Sequence, residues 1–136
     1  MARYVAMVDG KPGGFGLIFP DLPGCVAMGR TMDEVIQLGA EVLSEWAYDV
    51  MADGRRLPKP RTMEQLRKDP EVQGDLATGS VFVSVPLLLD SGRSTRANIS
   101  LDAGLLNAID ETAHRQGVTR SAFIAAAARE KIKATA

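Results

Sequence analysis

A single cysteine, Cys25, in 136 residues excludes an intramolecular disulfide, so a fold stapled by cross-links is not expected. No stretch approaches the roughly 18–20 apolar residues that a membrane span requires. The start of the chain has no charged segment followed by an apolar run, so no secretory signal is expected. These shortages agree with a reducing, cytoplasmic setting and no membrane partner. The chain also has a single histidine, His114, with no second metal-type ligand near it in sequence. No metal site or cofactor is expected. Cys25 follows a tight turn and lacks a neighbouring histidine or basic cluster, which speaks against a nucleophile.

Net charge is only −1, which excludes a chain that is basic throughout. Its distribution is uneven. Residues 1–92 hold 9 Lys+Arg against 13 Asp+Glu, a net of −4, and residues 93–136 hold 7 against 4, a net of +3. The basic excess therefore lies at the C-terminal end, where a polyanion would be bound. The acidic excess of the first part suits either a solvated surface or a basic protein partner.

Residues 95–133 read as one strand and two helices. In a strand over 95–101, Ala97, Ile99 and Leu101 share one face, and Arg96, Asn98 and Ser100 share the other. The polar row has the side chains that bond to base edges in a major groove. Asp102 is an N-cap for a helix over about 103–116, which carries Leu105, Leu106, Ile109 and Ala113 on one face. Gly117 is the stop, and Thr119 caps a second helix near 120–133. A lone strand has two unpaired edges, and so small a unit lacks a core of its own. The economical solution is a dimer whose two strands pair as an antiparallel ribbon.

Before this segment, residues 3–8 and 15–19 read as strands joined by a turn-rich connector, and residues 26–30 as a third. Thr31 and Glu34 have the spacing of a capping box for a helix over about 32–52, with Val35, Val42, Leu43, Trp46 and Val50 as its apolar stripe. Thr62 opens a short helix that Pro70 is expected to end, and residues 71–79 read as loop. Residues 80–87 are a fourth strand expected to pair back onto the first sheet, and residues 90–94 are a polar linker. The fold class is α+β: a small antiparallel sheet with a covering helix. The expected domains are 1–89 and, after the linker at 90–94, 95–136.

The segments RANISL, LLNAIDETAHRQG and GVTRSAFI, in that order, resemble a ribbon-helix-helix DNA-binding domain. The run FPDLPGCVAMGRTMDEV and the connector GRRLPKPRT resemble the N-terminal domain of HicB-type antitoxins, which has a partial ribonuclease-H-like fold. Together the two resemblances cover nearly the whole chain. They imply that Arg96, Asn98 and Ser100 face DNA bases, and that Thr119, Arg120 and Ser121 hold a phosphate at a helix start. They imply three partners: operator DNA, a second copy of the chain, and a small basic HicA-like toxin that cleaves messenger RNA. A dimer follows from the ribbon, and a tetramer would need a further surface. The loop Pro20-Asp21-Leu22-Pro23-Gly24 is either a rigid turn or a surface that meets the toxin.

Two other readings start from the same residues. One is a DNA-binding regulator whose first domain senses a small molecule or another protein. The other is a metal-dependent nuclease using Asp9, Asp21, Asp33 and Glu34. Each of these carboxylates has a plainer role in a turn, a loop or the first turn of a helix, so no catalytic residue is expected.

Overall fold

The run Tyr4-Val5-Ala6-Met7-Val8 has no polar residue to turn outward, because its strand is buried on both faces. The computed structural model describes residues 1–134. The strand β1 (Arg3–Lys11) lies inside a four-stranded antiparallel sheet with β2 (Gly14–Ile18), β3 (Val26–Gly29) and β4 (Val81–Pro86). Their spatial order is β3-β2-β1-β4, so the fourth strand returns to pair with the first. Tyr4, Ala6 and Val8 point into one cluster, and Val5 and Met7 into another. A strand covered on both sides reads as a continuous apolar run rather than as an alternation.

The hairpin between β1 and β2 is tighter than its turn-rich sequence suggests. Pairing continues to Lys11 opposite Gly14, which leaves Pro12 and Gly13 as the two loop residues. Proline followed by a glycine with φ of 99° suits a type II turn.

The first face of the sheet is covered by α1 (Met32–Ala52). Thr31 caps it, with Oγ1 accepting from the Glu34 amide at 3.1 Å. The Glu34 carboxylate does not complete the expected capping box on Thr31; it accepts from the Arg30 amide instead, at 3.3 Å. The inward side of α1 is Val35, Gly39, Ala40, Leu43, Ala47 and Val50. Trp46 and Val42 only flank this cluster, half-buried, because small residues allow the helix to lie close to the sheet. A Cβ on Gly39 would stand 2.8 Å from Leu17 Cδ1.

The second face is covered by two short helices, α2 (Met63–Leu66) and α3 (Pro70–Ala77). Thr62 and Gln65 form a full capping box at the first of them. Residues 71–79 were expected as loop, but most of them are helical. Pro70 starts a helix rather than ending one: it sits at the first helical turn, where a missing N–H costs nothing, behind the N-cap Asp69. Leu66 and Val72 from these helices pack on Val5 and Met7, with Met63, Leu76 and Phe82 alongside.

A second compact unit spans Asp90–Ile132, distinct from the unit built on Met1–Leu89. It holds α4 (Ala103–Gln116) and all but the last two residues of α5 (Arg120–Ala134). Asp102 caps α4 by accepting from the amides of Gly104 and Leu105, and Gly117 ends it with a left-handed φ of 69°. The last two residues of the expected 95–136 domain fall outside the described residues. Among the described residues, no helix is long and apolar enough to cross a membrane.

Candidate DNA-binding and partner-binding surfaces

Residues 95–101 form no strand in the single chain, contrary to expectation. A strand exists through ladder hydrogen bonds, and a lone segment has nothing to pair with. Arg96, Asn98 and Ser100 are exposed, and so are Ala97, Ile99 (60 %) and Leu101 (38 %) on the alternate positions. Both sides of this segment are thus uncovered. The helix pair that follows buries Ile109 and Ala113 but leaves Leu105 half exposed, and no residue of α5 is fully buried.

At the start of α5, Thr119 Oγ1 accepts from the Ala122 amide at 3.1 Å. The first amides of a helix have no acceptor within it, so those of Arg120 and Ser121 suit an anion. The Arg120 side chain is engaged elsewhere. Its Nε and Nη2 each donate to Asp110 at 2.8 Å, which ties α5 to α4. This forked pair holds the Asp110 carboxyl below its ordinary range and keeps the guanidinium charged. Arg129 makes an ion pair with Asp90 at 3.2 Å. His114 lies exposed on α4.

In the first unit, the loop over residues 20–24 is only partly a surface. Leu22 is buried in the main core, and its amide donates to the Phe19 carbonyl. Asp21 is likewise turned inward. Its side chain is 7 % exposed and accepts from the Arg61 amide at 2.9 Å and from Arg61 Nε at 2.6 Å. Arg61 also reaches Asp69 at 3.1 Å. The two hydrogen bonds keep Arg61 charged, and Arg61 holds the Asp69 carboxyl below its ordinary range. The loop is thereby clamped to the proline-rich connector, which the Tyr4 hydroxyl also grips by donating to the Pro58 carbonyl. Burial, and next the Asp21 charge, raise the Tyr4 phenol above its ordinary value. Asp21 and Leu22 are thus turned away from the surface that a toxin would meet. Pro23 and Gly24 are exposed, and Pro20 is half-buried.

The carboxylates considered for a nuclease do not converge. Asp21 is committed to Arg61, and Asp33 and Glu34 stand exposed in the first turn of α1. Among the described residues, no three His, Cys, Asp or Glu side chains gather as a metal site would need. Cys25 is buried, and burial alone pushes its thiol up to about 11, far from a reactive thiolate.

One surface went unnoticed in the sequence. Ile18, Val26 and Met28 stand exposed on the second sheet face, at 42 %, 53 % and 77 %. The signal was present in the alternation: Leu17 and Ala27 face the core, so their apolar neighbours on either side face the other way.

A family model described as the HicB-like antitoxin of bacterial toxin–antitoxin systems matches residues 4–128. An uncharacterised 14.9 kDa protein from the rep-hol intergenic region of Haemophilus phage HP1 is 28 % identical over 131 residues, covering 95 % of this chain and 96 % of that one. The crystal structure of the Burkholderia pseudomallei antitoxin HicB is 26 % identical, with a TM-score of 0.55 over 94 % of this chain and 96 % of that one. A HicA3–HicB3 toxin–antitoxin complex contains a chain of the same fold, 22 % identical, with a TM-score of 0.53 over 65 % of this chain and 100 % of that one. The chain belongs to the HicB-like antitoxins of bacterial toxin–antitoxin systems, a family of neutralising proteins rather than enzymes.

Proposed function

We propose that this antitoxin works in the cytoplasm through two separate surfaces. The first unit, residues 1–89, binds and silences a HicA-like toxin that cleaves messenger RNA. Residues 95–133 pair with those of a second copy and repress the chain's own operon. The observation that carries the reading is the family match over residues 4–128, which runs through both units rather than one. The acidic balance of residues 1–92 suits a basic toxin, and the basic balance of residues 93–136 suits DNA. The solved HicA3–HicB3 complex supports the choice of partner.

The test of neutralisation is direct. The toxin encoded beside this chain, purified alone, is expected to cleave RNA, and one equivalent of the antitoxin is expected to stop it. Cleavage that continues with the antitoxin in excess refutes direct neutralisation.

DNA binding has its own logic. In a ribbon dimer, Arg96, Asn98 and Ser100 of each copy enter the major groove and read one half-site. The free amides at Thr119-Arg120-Ser121 hold a phosphate and set the register. Arg120 places its positive charge beside that phosphate while Asp110 orients it. Arg120→Ala is expected to weaken binding to operator and scrambled DNA alike. The slope of log affinity against log salt should fall by about one per protomer. Fluorescence anisotropy across a salt series checks this, and an unchanged slope would reduce Arg120 to a clamp between the two helices.

A further inference from the structure

The neighbouring strands β2 and β3, at one end of the sheet, are covered on one side only. Their first face lies under α1, with Leu17 and Ala27 buried. On the second face α2 and α3 cover β1 and β4, through Val5, Met7 and Phe82, and leave the rest bare. The register makes the bare part continuous: Ile18 lies opposite Val26, and Gly16 opposite Met28. Ile18 also neighbours Met7 of β1. The strand β3 is an edge of the sheet, and Val26-Ala27-Met28-Gly29 has no charge or proline of the kind that usually blunts an edge.

Two acids border this apolar strip. Asp9, Asp75, Met7, Ile18 and Ser80 line a shallow recess beside it. Asp9 lies opposite Gly16, and a Cβ on that glycine would come within 3.1 Å of Asp9 Oδ1. Gly16 thus makes room for the carboxylate over the strand, next to Met28. Among the described residues, neither Asp9 nor Asp75 has an ion-pair partner, whereas Asp21, Asp53, Asp69 and Asp110 each hold an arginine.

We propose that the uncovered half of the second sheet face is where the toxin docks, with its apolar side chains on Ile18, Val26 and Met28 and its lysines or arginines over Asp9 and Asp75. The charge pattern selects this occupant. A second copy of the chain laid on the same face would bring the same acids together. A basic protein supplies cations and covers an apolar strip that water otherwise wets. The proposal rests on the toxin-binding reading above and assigns its surface.

The test uses the full chain and a catalytically inactive form of the toxin encoded beside it, titrated calorimetrically. Met28→Lys alters a side chain that is 77 % exposed, so the fold should survive, as a thermal melt will show. It is expected to lower affinity by about 100-fold, as a charge at the centre of an interface does. Asp9→Lys, a change of charge at the rim, should cost about tenfold and flatten the salt dependence. Glu45→Lys, the same charge change on the exposed side of α1, should leave the affinity as it is. Wild-type affinity in Met28→Lys overturns the assignment while neutralisation stands. So does a loss confined to Glu45→Lys, which would move the toxin to α1. A Met28→Lys variant whose only change is in oligomeric state, read by light scattering, overturns it in favour of a second copy. A wild-type chain that never binds the toxin overturns the antitoxin pairing itself.

Discussion

Replacing Arg96 and Asn98 together by alanine is expected to erase recognition of the operator and leave toxin neutralisation intact. Both side chains are exposed in the single chain, so their removal opens no cavity in either unit. Each base contact of this kind discriminates by about 1–3 kcal/mol. A dimer loses four of them, or roughly 4–12 kcal/mol, which spans the whole gap of about 4–10 kcal/mol between specific and non-specific binding. The double variant should therefore bind operator and scrambled DNA equally, with the weak, salt-sensitive affinity that phosphate contacts alone provide. Competition binding with both DNAs measures it. An unaltered operator footprint would mean that other residues read the bases.

The parts of the fold that were legible in the sequence are those decided locally. Asp102 and Gly117 mark both ends of α4 because capping and a left-handed turn depend on residues within one helical turn. Thr31 marks the start of α1 for the same reason. What was missed depends on distant partners. Pro70 followed an apparent helix and read as its end, yet the same residue behind Asp69 is a good beginning, and only the packing of Val72 against β1 decides between them. The Pro20–Gly24 segment has the composition of an exposed turn, but Arg61, forty residues away, draws Asp21 inward. The sequence places Arg120 at a phosphate site but does not show that Asp110, ten residues earlier on α4, holds its guanidinium. The bare sheet face lay hidden for a related reason, since an apolar residue in a strand does not announce whether a helix will cover it. Residues 95–101 are the inverse case. Their alternation is plain in the sequence, yet a single chain does not express it as a strand, because the segment has no neighbouring strand to pair with.

The proposed dimer has its sharpest test at Ile99. Ile99→Asp is expected to dissolve the dimer and, with it, binding to every DNA sequence. In the single chain Ile99 is 60 % exposed and Leu101 38 %, and of α4 and α5 only Ile109 and Ala113 are buried. A 43-residue unit so thinly packed is well below the roughly 70–80 residues at which a core suffices by itself. In the proposed ribbon dimer, Ile99 of each copy would lie in the shared core. Aspartate there brings two like charges into a desolvated site, at an effective cost of several kcal/mol for each ion. Sedimentation at micromolar concentration should show monomers, while the first unit, still folded, keeps its toxin. The contrast with the Arg96/Asn98 double variant separates two roles along one strand. Loss of the polar row leaves a dimer that holds DNA without reading it, whereas loss of the apolar row leaves no dimer to hold it. If Ile99→Asp sediments as a dimer, the copies are joined elsewhere, and the ribbon is not what assembles them.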